Sequence, residues 1–275
     1  MKDKITVFSK KKGKEKLTLL TAYDYSTASF LDNSEIDAIL VGDSLGMVFQ
    51  GYDNTLSVTI DDIIYHCKAV RRGAQNTFLI ADMPFLSYHI TKEETIRNAG
   101  RLIKETGVEA VKLEGGKEVL DKIKALLDAK IPVMGHLGLT PQSINLFGSY
   151  KVRGKSIEEA NRIINDALIL EEAGVFSIVL EGIPEKLAEI ITKKLSIPTI
   201  GIGAGRYVDG QILVINDIFG SYKEFSPKFA KRFCNVGEEM KKGIDSFIKE
   251  TRNGKFPGDE HVFQISDDII NEIIK

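Results

Sequence analysis

Residues 109–116 read EAVKLEGG. Ala110–Glu114 has the length and apolar content of a short buried strand, yet it carries Lys112 and Glu114 two positions apart. Strand side chains alternate between faces, so the two charges share one face and Leu113 takes the other. On the inside of a barrel, at the C-terminal end of a strand, such a pair stands where that architecture keeps its chemistry. Gly115-Gly116 then makes room for the turn into a helix.

Seven further runs of similar character flank this one: Leu17–Ala22, Ala38–Asp43, Phe78–Asp82, Ile131–His136, Phe176–Glu181, Ile197–Gly201 and Ile212–Ile215. Segments of helical period fill the gaps. Thr59–Gly73 opens on a capping box in which Thr59 caps and Asp62 stands in for the usual Glu. Thr91–Gly107 and Ser156–Gly174 each begin at a hydroxyl residue and stop at a glycine, and Ile183–Leu195 has Pro184 near its start. Strand and helix in alternation require parallel pairing with helices over the sheet. Eight such units predict the α/β class, as a closed (β/α)8 TIM barrel. A doubly wound sheet would use fewer strands and a stronger phosphate fingerprint.

The length of 275 residues suits one such barrel spanning 1–275, with a short basic N-terminal arm and a C-terminal extension from about residue 254. The arm holds Lys10, Lys11, Lys12, Lys14 and Lys16 and reads as solvated. Charged residues make up 28% of the chain and the net charge is -2, which argues against a general nucleic-acid surface. No apolar stretch could span a bilayer and no leader-like h-region is present. Cys67 and Cys234 lack metal-ligand spacing and read as buried thiols on helices. These features predict a soluble protein of a reducing, cytoplasmic setting. The polar segment Thr140–Gly154 is long for a strand-to-helix connection and is a candidate closing element.

Strand ends are where the polar residues fall. The second strand leads into Asp43-Ser44, the third ends at Asp82, the fourth at Lys112-Leu113-Glu114, the fifth at His136 and the sixth at Glu181. Singly, each has an ordinary reading: Asp43 or Asp82 as a cap or turn residue, Glu114 as a solvated loop residue, Glu181 as a helix cap, His136 as a satisfied buried histidine. Equivalent positions on five successive strands would instead gather them at one rim, and several carboxylates together call for a cation. Asp43, Asp82 and Glu114 offer only hard oxygens, which suits Mg2+ better than zinc. Lys112 beside them would meet a substrate carboxylate or a developing enolate oxygen. Glu181 is the free carboxylate for proton abstraction. The glycines of IGIGAG, 200–205, could admit a phosphate or simply form a turn; Arg206 breaks the dinucleotide spacing.

The motifs taken in order are specific: TAYDYSTA at 21–28, VGDSLGMV at 41–48, TIDDIIYHCKAV at 59–70, ADMPFLSY at 81–88, AVKLEGG at 110–116, VMGHLGLTPQS at 133–143, IGIGAG, DGQILV at 209–214 and FPGDEHVF at 256–263. Through them nearly the whole chain resembles the ketopantoate hydroxymethyltransferases. The resemblance implies a (β/α)8 barrel, Mg2+ and a homo-oligomer, often a decamer. It implies transfer of a one-carbon unit from 5,10-methylenetetrahydrofolate to 3-methyl-2-oxobutanoate, giving 2-dehydropantoate for pantothenate and coenzyme A through a Mg-stabilised enolate. Carried onto matching positions, Asp43, Asp82 and Glu114 surround the metal. Asp43, Ser44, Asp82 and Lys112 contact the keto acid, His136 lies near it, and Glu181 accepts the proton. The folate contacts are unknown from residue chemistry. The chain departs from the family pattern at Ser57, Ser149, Arg153 and Asn216, none of them a metal ligand or the base. The rival enzyme reading is a lyase or mutase of related Mg2+-binding barrels, which place a catalytic Cys or Ser on a mobile loop.

Overall fold

The computed structural model describes residues 5–221 and 227–274. Eight parallel strands close on themselves in chain order: β1 (Leu17–Thr21), β2 (Ala38–Val41), β3 (Phe78–Asp82), β4 (Ala110–Glu114), β5 (Val133–Gly138), β6 (Ser177–Glu181), β7 (Thr199–Ile202) and β8 (Gly210–Leu213), with β8 pairing β1. The helices are α1 (Thr6–Lys11), α2 (Tyr25–Asp32), α3 (Leu45–Val48), α4 (Ile60–Gly73), α5 (Lys92–Thr106), α6 (Leu120–Asp128), α7 (Ile144–Phe147), α8 (Ile157–Ala173), α9 (Glu185–Lys194), α10 (Ile215–Phe219), α11 (Val236–Arg252) and α12 (Asp267–Ile273). The predicted caps are present. Thr59 and Asp62 exchange bonds at the start of α4, and α5 and α8 end at Gly107 and Gly174 with φ of +74° and +102°. Those left-handed values suit glycine, which has no Cβ to clash.

Alternation along the strands produces two separate cores. Leu19, Leu40, Ile80, Met134, Val179 and Ile200 point inward and fill the barrel, while Val41, Leu79, Leu113, Ile178 and Leu180 pack outward against the helices. Leu113 therefore faces the helical layer while Lys112 and Glu114 face the interior, as the five-residue pattern requires.

The N-terminal segment differs from the expected solvated arm. It forms α1, and Phe8 plugs the bottom of the barrel, with its ring 5.8 Å from Phe78 and 5.1 Å from Phe176. Lys10, Lys14 and Lys16 stay exposed, but Lys11 pairs with Asp37 at 2.8 Å and Lys12 with Asp209 at 2.7 Å. An apolar ring in the pore thus fixes a segment whose charge suggested only solvent. The far end differs too. The chain leaves the barrel before residue 254, because α11 buries no residue at all. Cys67 is buried in α4 as expected. Cys234 is not: it lies outside any helix, exposed, in the connection between α10 and α11.

Candidate active site

Register explains how the strand ends converge. Asp82 pairs Lys112 across β3 and β4, Glu114 pairs His136 across β4 and β5, and Gly138 pairs Glu181 across β5 and β6. Each step moves one strand round the barrel and two residues up it, so the side chains form a rising diagonal on the inner face. Asp43, just beyond β2, joins the diagonal at its lower end through its backbone N–H, which donates to Asp82 Oδ2 at 3.3 Å.

The Lys112 ammonium sits among these groups, 2.8 Å from Asp82 Oδ1, 3.8 Å from Glu114 Oε1 and 3.2 Å from His136 Nδ1. His136 links onward, with Nδ1 3.4 Å from Glu114 Oε1 and Nε2 3.2 Å from Glu181 Oε2. Asp43, Asp82, Lys112, Glu114 and His136 are all buried; the Glu181 side chain is 16% exposed and stands nearest the mouth. None of the carboxylates is a helix cap. Ser44 begins α3 and Pro184 begins α9, neither with a capping bond from these acids. Ser44 Oγ lies 2.8 Å from Tyr23 Oη.

Burial and the charges of Asp82 and Glu114 push the Asp43 carboxyl well above its ordinary value. Burial also raises Asp82, with Lys112 opposing. For Lys112, burial would lower the ammonium, but the charges of Asp82, Glu114 and Asp43 outweigh it and hold the group above its usual range. Burial and the Lys112 charge would lower His136, but Glu114 and Glu181 raise it to about 9. Glu114 would be raised by burial, yet the hydrogen bond and charge of His136 bring it below its ordinary value. The site holds four carboxylates against one ammonium and one imidazole, so it carries excess negative charge.

Among the described residues, no three His, Cys, Asp or Glu side chains close round one point tightly enough to enclose an ion unaided. Asp43, Asp82 and Glu114 are spread over three strand ends with Lys112 between them. Two buried atoms at the centre, Asp82 Oδ1 and His136 Nε2, have charged neighbours but no well-aligned hydrogen bond.

Connections above the strands complete the site with residues that strand-end reasoning does not reach. Gln142, in the 3₁₀ turn Pro141–Ser143 after β5, is buried and bonds both Asp43 and Glu114, and Tyr88 bonds Gln142. Both residues are uncharged and off the strands; only their place in the motifs marked them. A cavity of about 300 Å³ reaches Glu114 and Gln142 from the α6 side. The segment 140–154 is fastened at its far end as well. The Arg153 N–H donates to the Gly182 carbonyl at 2.8 Å, and its guanidinium stacks 4.2 Å over Phe147 and pairs with Glu159. Of the IGIGAG glycines, Gly201 lies within β7, and Gly203 and Gly205 lie in the bend that follows it. A Cβ at Gly205, where φ is +80°, would fall 2.3 Å from Glu185, whose carboxylate accepts from the Arg206 backbone. Cys234 Sγ is placed against the Ile218 and Phe219 carbonyls, outside this group of acids.

The family model described as ketopantoate hydroxymethyltransferase matches residues 2–259. The chain belongs to this family. A 3-methyl-2-oxobutanoate hydroxymethyltransferase of Clostridium beijerinckii is 56% identical over 274 residues, 99% of this chain and 100% of that protein. One of Clostridium acetobutylicum is 58% identical over 262 residues, 95% of each. Among solved structures, 2,3-dimethylmalate lyase, a PEP mutase/isocitrate lyase superfamily member, superposes with a TM-score of 0.59 at 13% identity, covering 100% of this chain and 96% of that one. Phosphonopyruvate hydrolase in complex with oxalate and Mg2+ gives 0.58 at 12% identity, covering 98% and 95%. These structural likenesses establish a shared fold, while the hydroxymethyltransferase family is established by sequence over nearly the whole chain.

Proposed function

We propose that this chain transfers a hydroxymethyl group from 5,10-methylenetetrahydrofolate to 3-methyl-2-oxobutanoate, forming 2-dehydropantoate for pantothenate and coenzyme A synthesis. The observation that carries the reading is the buried Lys112 ammonium set among three carboxylates, with Glu181 at the open end of the same diagonal. An α-keto acid presents a carboxylate beside a neutral keto oxygen that becomes negative as the enolate forms, and a site for it needs positive charge at that end and a base at the other.

The donor set fits Mg2+. Its ligands are hard oxygens, it holds excess negative charge, and Asp82 Oδ1 is buried without an aligned donor. Three carboxylates spread over separate strands leave coordination positions to water and substrate, which is the habit of Mg2+ and not of a closed zinc site. Asp43, Asp82 and Glu114 would hold the ion, and when bound it would supply Lewis acidity to the keto acid oxygens. Ser44 and Lys112 bind and orient the acid. Glu181 takes the C3 proton, and the electron pair moves toward the keto oxygen, where the Lys112 ammonium faces the growing charge. His136, between Lys112 and Glu181, keeps the base in place. Water adds to the methylene carbon of the donor and gives its proton to the departing folate nitrogen, freeing formaldehyde; C3 then bonds to that carbon, and its oxygen takes the proton held by Glu181 to become the hydroxymethyl group.

Exchange of the C3 proton into D2O tests the base without needing folate. Glu181→Gln is expected to slow exchange by roughly 10²–10⁴-fold. Exchange at the wild-type rate in that variant would remove Glu181 from the role. Formation of 2-dehydropantoate, against release of cleaved fragments, separates the transferase from the lyase chemistry of its fold neighbours.

A homo-oligomer is part of the same reading. On α11, Met240, Ile244, Phe247 and Ile248 follow helical spacing and are all exposed. A second copy of the chain is the occupant that would cover them. Among the described residues no helix is long and apolar enough to cross a membrane. Two unbridged cysteines accord with the reducing cytoplasm.

A further inference from the structure

We propose that Gln142 is the positioning residue that decides which oxygens of Asp43 and Glu114 face the cation; this rests on the Mg2+ reading above. Every polar atom of its side chain is engaged. Nε2 donates to Asp43 Oδ2 at 2.8 Å and to the Met83 carbonyl at 3.0 Å, and Oε1 accepts from Tyr88 Oη at 2.8 Å. Its backbone N–H donates to Glu114 Oε2 at 3.0 Å. Carbonyl and carboxylate oxygens can only accept, so the amide nitrogen must face Met83 and Asp43 and the amide oxygen must face Tyr88. The orientation of Gln142 is therefore fixed by its partners. Tyr88 is held in turn, since its hydroxyl accepts from the Glu114 N–H at 3.2 Å and lies 3.1 Å from the Glu114 carbonyl.

One oxygen of each carboxylate is thereby taken up. Asp43 Oδ2 and Glu114 Oε2 are tied to Gln142, so the second oxygen of each carboxylate is the one turned elsewhere, Glu114 Oε1 toward Lys112 and His136. The choice of an amide has a physical reason. Mutually repelling carboxylates need donors to hold them, but a Lys or Arg here would neutralise the charge that attracts a divalent ion. An amide supplies two N–H groups and no charge. A Glu would set an acceptor against Asp43 and Met83, and an Asn would be one methylene short. Because Gln142 sits on the connection after β5, it also ties that connection to the ends of β2, β3 and β4. Metal ligands are commonly oriented by such outer partners, whose loss weakens the metal more than the fold.

Calorimetric titration of Mg2+ into the full-length protein without substrate tests this. Gln142→Met preserves volume and removes both donors, and is expected to weaken Mg2+ binding by about 10–100-fold. The Mg2+ needed for half-maximal activity should rise in parallel. Tyr88→Phe leaves the donors but frees the amide to turn, so binding should weaken by a smaller factor, about 3–10-fold. Should Gln142→Met fail to fold, Tyr88→Phe decides alone. Wild-type Mg2+ affinity in the folded variants, even with a lowered melting temperature, would make Gln142 merely structural and overturn the proposal. A wild-type protein that takes up no Mg2+ would instead overturn the metal reading on which it stands.

Discussion

Replacing Lys112 by Met keeps an unbranched stem inside the barrel and removes only the ammonium. Asp43, Asp82 and Glu114 would then face one another with no cation beside Asp82, which now has Lys112 at 2.8 Å. Breaking a buried ion pair from one side costs roughly 3–5 kcal/mol, so urea unfolding of Lys112→Met in EDTA should show a loss of that size. Saturating Mg2+ should return part of it, since a divalent ion can take the place of the missing charge among the acids. Equal stability with and without Mg2+ would count against the three carboxylates as a cation site. The site was legible in the sequence to the extent that it was made of charges at strand ends: Asp82, Lys112, Glu114, His136 and Glu181 meet because register puts them on one diagonal. Gln142, Tyr88 and Tyr23 were not. Their side chains carry no charge and their partners come from distant parts of the chain, and nothing local distinguishes Gln142 from any residue following a proline.

Among the elements, the strands are where local sequence says most, and its errors have definite causes. The runs beginning at Ile131 and Ile197 start their strands two residues late, at Val133 and Thr199, after Pro132 and Pro198. Each proline offers a carbonyl to the neighbouring strand, accepting from Val111 and Ile178, but has no N–H to give. β8 begins early, at Gly210, because a Cβ there would fall 2.6 Å from the Leu17 backbone and only glycine admits β1 so closely. The plug at the barrel floor was illegible for another reason: Phe8 meets Phe78 and Phe176 only after the barrel has closed. Phe8→Ala should therefore cost about 3–5 kcal/mol, the usual range for an emptied aromatic site, and chemical denaturation should show it while deuterium exchange at the substrate C3 is retained. A stability change under about 1 kcal/mol would mean that the plug contributes little. A second contact between elements is sensitive to pH. Asp32, ending α2, accepts from Asn76 and Thr77 at the entry to β3, with bonds of 2.7–3.1 Å. Burial would raise its carboxyl, but these donors hold it below the ordinary 3.8. A lowered folded value means that the stabilisation is complete above the unfolded value and is lost as pH falls through the folded one. Asp32→Asn should be less stable than wild type at pH 7, and the gap should narrow below about pH 4; a gap that stays constant into acid would show that the charge is not what the four donors recognise.

At the scale of the whole molecule, eight parallel strands close the barrel, but its helical layer thins toward the end of the chain, where no helix separates β7 from β8. β8 is followed by α10 of five residues, and the longer α11 lies apart with no residue buried. A solvated helix of 17 residues would ordinarily be polar all round, or would bury its apolar stripe. Here Met240, Ile244, Phe247 and Ile248 are 59%, 54%, 57% and 38% exposed, and Phe263 beyond the helix is fully so. Hydrophobic spacing in the sequence identifies such a stripe without saying whose surface covers it, because the partner can be a copy of the same chain. The 30.5 kDa chain is therefore expected to sediment as a multiple of that mass. Ile244→Asp with Phe247→Asp would set two charges into this apolar stripe and should shift the species toward the monomer, with little change in the circular dichroism of the barrel. The stripe is remote from Asp43, Asp82 and Lys112, so the Mg2+ affinity of the dissociated variant should follow the wild type. A wild-type protein that sediments at 30.5 kDa, or a double variant that keeps the wild-type mass, would show that this face is left in water and that the barrel stands alone.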